Sequence, residues 1–115
     1  MGHIHPPELI EMSCGFEGCV RHFERPSYTL CPGHLVFCSN ECRASQRFLS
    51  YAREVLPLKA DHANHREIGE AMGGFSKGVA ARRWLRFRTA LPRYHGLAAI
   101  CAQINKELSD ARRLH

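Results

Sequence analysis

The sequence lacks a long apolar run, which argues against a membrane-spanning helix: no stretch approaches the ~20 apolar residues that such a helix needs. Residues 1–7 also lack the basic and apolar regions of a secretory signal peptide. Pro6 stands where an N-myristoylation signal has Ser or Thr. We therefore expect a chain that has no membrane partner and works in a reducing cytoplasm.

Acidic residues are missing between Glu70 and Glu107, although seven lysines and arginines fall in this interval. The whole chain has a net charge of +5 and a pI of about 9.1. Such one-sided placement produces a strong local positive field and predicts an anionic partner. The alternative is a basic helix that keeps the chain soluble or binds an acidic protein.

A convincing set of catalytic residues is also missing. We find no Ser/His/Asp or Cys/His arrangement that would activate a nucleophile, because a metal site explains the cysteines better. We therefore predict that the protein is not an enzyme. With 115 residues and 44% hydrophobic residues, it can form one compact domain or two very small ones, and a metal that stabilises the fold is expected at this size.

Five of the six cysteines fall between Cys14 and Cys42. Pairs of cysteines a few residues apart suit a tetrahedral ion, and four cysteines close the site, which is typical of a structural zinc rather than a catalytic one. The predicted ligands follow the spacing Cys14-x4-Cys19 and Cys38-x3-Cys42, with Cys31 and His34 as extra candidates between the pairs. Disulfides in a small secreted domain are the competing interpretation.

The same stretch resembles the small zinc finger found beside HNH endonuclease domains and helix-turn-helix segments in phage and mobile-element proteins. The resemblance is carried by Phe37-Cys38-Ser39-x2-Cys42, with Cys19, Phe23, Pro26-Ser27 and Gly33 upstream. The family usually opens with Cys-x2-Cys, whereas four residues separate the first pair here. The HNH site itself is not predicted, because Asp61-His62-Ala63-Asn64-His65 places the right residue types too close together for that site's hairpin-and-helix geometry.

Cys31-x2-His34-x3-Cys38-x3-Cys42 also resembles the MYND-type finger, a protein-interaction module that binds two zinc ions. This chain lacks that family's closing His and Cys. We therefore expect one zinc ion and keep two as the alternative, in which Cys31 and His34 are ligands rather than loop residues.

The pattern before residue 60 predicts an N-terminal arm and then a zinc finger with its helix. Residues 1–13 are expected to form the arm or a short turn that packs on the finger, and residues 14–57 form the finger and the helix. Short extended pieces are expected near 20–23 and 35–37. The helix is predicted from about Glu41 to Leu56, with Pro57 ending it.

Residues 61–92 predict a short helix, a glycine turn and a longer helix, which is the helix-turn-helix plan. Asn64 and Glu67 form a capping box, Gly73-Gly74 stops the short helix, and Ser76 caps the long one. The segment from Glu67 to Val79 resembles the core of bacterial and phage helix-turn-helix proteins. It departs from their pattern at Gly69, which stands where alanine is usual, and in one extra turn residue.

The helix from Lys77 to about Ala90 is predicted to read DNA. Its inward stripe is Ala80, Trp84, Phe87 and Leu91, and its outward side is Gly78, Arg82, Leu85 and Arg86. One turn apart, Arg82 and Arg86 are within reach of guanine edges or phosphates. The predicted DNA-binding residues are Lys77, Arg82, Arg83, Arg86, Arg88 and Arg93.

Residues 95–115 are predicted to form a C-terminal helix from about Gly96 to Leu114. Its apolar stripe is Leu97, Cys101, Ile104, Leu108 and Ala111. We expect this stripe to dock on the helix-turn-helix rather than pair with a second copy, with Cys101 buried as a small hydrophobic residue. The oligomeric state stays open.

Together these patterns predict a mostly α-helical fold with a small zinc-bound β/knuckle finger at its N-terminus. The expected function is binding of double-stranded DNA by a phage or mobile-element regulator or targeting factor, in the nucleoid or an infected host cell. Two alternatives stay open: an adaptor whose finger binds polymerase or a host factor in a larger assembly, and an RNA-binding protein.

Overall fold

A computed structural model describes residues 8–30 and 33–113 of the chain. The elements in chain order are strands β1 (Leu9–Ser13) and β2 (His22–Pro26), followed by helices α1 (Asn40–Ala60), α2 (His65–Ala71), α3 (Lys77–Ala90) and α4 (His95–Arg113). The predicted fold class, mostly helical with a small β-containing finger at the N-terminus, is confirmed. None of the helices in the described ranges combines the length and apolar character needed to cross a membrane.

β1 and β2 form an antiparallel pair in which Met12 lies opposite Phe23. Ile10 and Met12 are half-buried and alternate with exposed neighbours, as expected for a strand with one face packed on the protein. The prediction of an arm or turn is therefore wrong for residues 9–13, and residues 1–7 lie outside the described ranges. Residues 35–37 were expected to be extended but form no strand; Val36 instead accepts a hydrogen bond of 2.7 Å from the Gly15 amide.

α1 is longer than predicted, because Pro57 lies inside it rather than ending it. An interior proline costs about 3 kcal/mol. Leu56 is only 5% exposed and Leu58 packs against the same core. A fully buried leucine side chain contributes about 1.5–3 kcal/mol to stability. Burial of Leu56, together with the packing of Leu58, therefore offsets the cost of the proline.

The centre of the core lies between α1 and α4. Leu49, Ala52 and Val55 of α1 and Leu97 of α4 have no exposed surface, and Cys101 is 2% exposed. The stripe of α4 therefore docks on α1, not on the α2–α3 pair as we expected. Burial raises the pKa of the Cys101 thiol, in keeping with its predicted role as a small neutral core residue.

Aromatic side chains join α3 to α1. Phe87 is 2% exposed, and its ring centroid lies 5.4 Å from that of Tyr51 and 6.4 Å from that of Phe48. Trp84 packs beside Phe87 at 5.6 Å and is covered by the ammonium group of Lys59 at 4.6 Å. The prediction that Trp84 and Phe87 belong to the core is confirmed.

The turn between α2 and α3 folds back over α2. Both predicted caps are present, and Gly73 and Gly74 have φ angles of 120° and 82°. The amides of Gly74 and Phe75 donate to the Gly69 carbonyl at 3.0 and 2.9 Å. A Cβ atom on Gly69 would lie 2.2 Å from the Phe75 carbonyl oxygen. The two departures from the helix-turn-helix pattern, Gly69 and the extra turn residue, are therefore structurally linked. The longer turn passes so close to position 69 that only glycine fits there.

Gly69→Ala should lower the free energy of unfolding by about 1–3 kcal/mol, because the methyl group forces the backbone of Phe75 to move. Gly78→Ala is the matched control, since a Cβ there meets nothing within 4 Å. It should leave stability unchanged or raise it by up to ~1 kcal/mol. Urea unfolding followed by circular dichroism, with metal present throughout, measures both; equal stabilities for the two variants would contradict the packing described.

Candidate metal centre and basic surface

The four predicted cysteine ligands come together at one place. The Sγ atoms of Cys14, Cys19, Cys38 and Cys42 all lie within 4.8 Å of one another. The Cys19–Cys38 distance is 3.7 Å and the Cys38–Cys42 distance is 3.5 Å. Residues 24 positions or more apart in sequence, such as Cys14 and Cys38, therefore converge on a cluster that could hold a metal ion.

Short backbone turns position the thiols. Cys14 follows β1 directly, and its amide donates to the Arg21 carbonyl at 3.1 Å, while the Cys19 amide donates to Phe16 at 3.0 Å. On the other side, Ser39 caps α1 by accepting a hydrogen bond of 3.1 Å from the Cys42 amide. The second cysteine pair thus brackets the N-cap of α1, so the position of the cluster fixes where that helix starts.

The loop between Cys14 and Cys19 packs on the helices. Phe16 is 4% exposed, and a Cβ atom at Gly18 or Gly96 would meet its ring at 2.7 or 2.9 Å. Glu17 forms an ion pair with Arg53 of α1, whose guanidinium lowers the pKa of the glutamate. Since Gly96 belongs to α4, this loop touches both long helices.

The clustered thiols do not ionise alike: burial of Cys14 is outweighed by hydrogen bonds from the backbone and from neighbouring thiols, which lower its pKa to about 7, whereas Cys42 ionises less readily. A hydrogen bond with Ser39 lowers the pKa of Cys42, but burial and the other three thiols outweigh it and raise the pKa to about 12. Like charges at this separation disfavour one another, so a cation is needed to hold the set as thiolates. The donor set therefore fits a bound cation better than four free thiols.

The extra candidates do not join this cluster among the described residues. His34 is exposed and is absent from the group of converging ligands. Cys31 lies outside the described ranges. The four cysteines are enough for one closed site.

The predicted DNA-binding residues occupy different parts of the surface of α3 and of the turn that follows it. Arg82, Arg86 and Arg93 line one depression together with Leu85, which is 65% exposed. Arg83 lines a neighbouring depression with Arg86, and its guanidinium lies 4.9 Å from the Tyr51 ring centroid. Lys77 and Arg88 are exposed but line neither depression. The structure thus brings four of the six together.

Two further arginines, Arg43 and Arg47 of α1, lie on the same side of the molecule and were missing from the predicted set. Arg47 lines the depression that holds Arg83 and Arg86. The signal in the sequence was their spacing of one helical turn, but the sequence could not tell which helix α1 faces. Arg53, a further arginine of α1, differs because it is paired with Glu17.

This surface is free of carboxylate partners. All eleven Asp and Glu residues lie in the described ranges, and their ion pairs involve only His22, Arg53, Arg66 and Arg112. Asp61 forms an ion pair with Arg112, and Asn64 caps α2. These two residues of the segment Asp61–His65, which was compared with an HNH site above, therefore have structural contacts.

Comparisons with protein-family models, with curated proteins and with solved structures gave no match. The resemblances to the phage-type finger and to helix-turn-helix proteins therefore stay predictions.

Cys38→Ser should abolish stoichiometric metal binding and unfold the N-terminal part, because three thiols leave the site open and α1 loses its anchored start. Cys101→Ala is the matched control, since it also removes one thiol but lies in the α1–α4 interface. Metal content by mass spectrometry and thermal unfolding by circular dichroism test both. Full metal retention and an unchanged melting curve for Cys38→Ser would reject the assignment.

Proposed function

We propose that this chain is a small DNA-binding protein that reads duplex DNA with the outward face of α3 and is stabilised by one structural zinc ion. The observation that carries the proposal is the exposed, carboxylate-free side of α3 around Arg82 and Arg86. It is joined to a short capped helix by a glycine turn, the arrangement used by helix-turn-helix proteins.

Zinc is the ion that the cluster suits best. Four thiolates at about 2.3 Å from a tetrahedral ion lie about 3.8 Å from one another. The sulfur distances of 3.5 and 3.7 Å are close to that value. Soft thiolate ligands favour zinc over hard cations such as Mg²⁺. With all four positions supplied by protein, the ion stabilises the fold and performs no chemistry.

The shape of α3 suits the major groove. Its 14 residues span about 21 Å, and a groove about 12 Å wide admits a helix. Gly78 has open space around it, which allows the N-terminal turn to approach the DNA closely. Arg82 and Arg86 lie one and two turns further along, where guanidinium groups can bond guanine edges. Lys77, Arg83, Arg88 and Arg93 supply phosphate contacts in this proposal.

The role that follows is regulation of transcription or targeting of a larger assembly, in the cytoplasm or nucleoid or in an infected host cell. Its support is the finger and helix-turn-helix resemblance together with the basic surface. A phage or mobile-element origin has the same support.

A protein-interaction adaptor is the second candidate, because the finger carries several exposed apolar side chains. Val20 is 91% exposed, Tyr28 78% and Leu35 62%. Exposed apolar groups of this kind mark contact sites for other proteins when they form a continuous patch. Salt separates the two candidates, since an apolar contact has little salt dependence.

Fluorescence anisotropy on duplex DNA across a salt series tests the proposal, with duplex RNA and single strands in parallel. Four phosphate contacts predict a loss of about 10²-fold in affinity between 50 and 200 mM salt. Arg82→Ala/Arg86→Ala should abolish tight binding. Arg66→Ala/Arg112→Ala removes the same charge from two exposed ion pairs elsewhere and should bind nearly as the parent does.

A folded, metal-loaded protein that binds no duplex DNA at low salt would contradict the proposal and favour the adaptor. Preference for RNA over DNA duplexes would favour the third possibility raised by the sequence.

A further inference from the structure

Three neighbouring depressions of the surface are lined by arginines. The first lies on α3 and the segment before α4, with Arg82, Arg86 and Arg93. The second lies between α1 and α3, with Arg47, Arg83 and Arg86. The third lies between α1 and the loop that precedes the second cysteine pair, with Arg43, Arg47 and His34.

Shared lining residues show that the depressions are neighbours. Phe48 and Arg86 line both the first and the second, and Arg47 lines both the second and the third. A row of arginines therefore extends from the end of α3 across α1 to the finger. We call it the arginine track, and its members are Arg43, Arg47, Arg82, Arg83, Arg86 and Arg93.

The charges along the track are uncompensated. Within the described part of the chain, no Asp or Glu lines any of the three depressions, and no member of the track forms an ion pair. Six guanidinium groups that share one surface repel one another, and an anion that lies among them relieves this repulsion.

Two members are held in place by aromatic rings. The guanidinium of Arg43 lies 5.8 Å from the Phe37 ring centroid, and that of Arg83 lies 4.8 Å from the Phe75 centroid. Stacking of this kind restricts the side chain while leaving donors available, so less entropy is lost on binding. Because Phe37 precedes Cys38, the cysteine cluster helps to position the finger end of the track.

We propose that the nucleic acid lies along the arginine track, with Arg43 and Arg47 of α1 holding its sugar-phosphate backbone, so that α1 forms a second half of the interface beside the base-contacting Arg82 and Arg86 of α3. This inference rests on the proposed function. Guanidinium groups match phosphate oxygens in charge and in bidentate geometry. The middle depression is partly open to solvent and has a volume of about 380 Å³, which leaves room for a phosphate group.

The test compares Arg43→Ala/Arg47→Ala with the control Arg66→Ala/Arg112→Ala, which removes the same charge. For the track variant, the slope of log affinity against log salt should fall by about 1.8, since two phosphate contacts are lost at about 0.9 each. Duplexes of different sequence should be weakened equally, because phosphate contacts do not read bases. The control should keep the parent slope. Arg47→Ala alone should show half the change, and it leaves the Arg43–Phe37 contact intact if the double variant loses metal.

An unchanged slope in Arg47→Ala, with binding still lost in Arg82→Ala/Arg86→Ala, would overturn this inference and leave the proposed function standing. Absence of duplex binding in the parent protein would remove both. Poly-glutamate is the competitor that tests for an acidic protein partner. If it displaces labelled duplex as effectively as unlabelled duplex does, at equal charge concentration, the inference is overturned and an acidic protein partner is indicated.

Discussion

The convergence of four cysteine thiols at the start of α1 is the constraint on which the rest of the structure depends. A two-stranded sheet such as β1–β2 is marginally stable in water. The finger therefore needs the cluster to stay folded. Since Cys38 and Cys42 bracket the cap of α1, and the loop between Cys14 and Cys19 packs on α1 and α4 through Phe16, the same cluster joins the finger to the helices.

α1 serves three surfaces at once. One side carries Leu49, Ala52 and Val55 into the interface with α4. A second side presents Phe48 and Tyr51 to Phe87, beside a depression between α1 and α3. Arg47 lines that depression, and Arg43 lines the next one along α1 together with Arg47. The helix that the cysteine cluster anchors is thus the one that aligns α3 with a second row of arginines.

The features that could be predicted from the sequence were the local ones. The cysteine spacing predicted all four converging ligands, and Asn64 with Glu67 predicted the capping box, because these features depend on neighbours a few residues away. The strand at residues 9–13 needed its partner β2 to be recognised, and Pro57 remained in the helix because of tertiary burial of the leucines beside it. The partner of α4 and the part played by Arg43 and Arg47 depended on which helices meet, which periodicity alone does not specify. The sequence showed Gly69 only as a departure from the helix-turn-helix pattern, because the need for glycine there comes from the turn that passes over it.

We propose that the metal-anchored start of α1 positions a nucleic-acid surface. The most direct test measures the affinity of the chain for one labelled DNA duplex at low salt, first with metal, then after removal of metal by a chelator and dialysis, and finally after zinc is restored. We expect tight binding to be lost with the metal and recovered with zinc, in parallel with the helical signal in circular dichroism. A metal-free chain that binds the duplex with the same affinity and salt dependence would contradict this expectation.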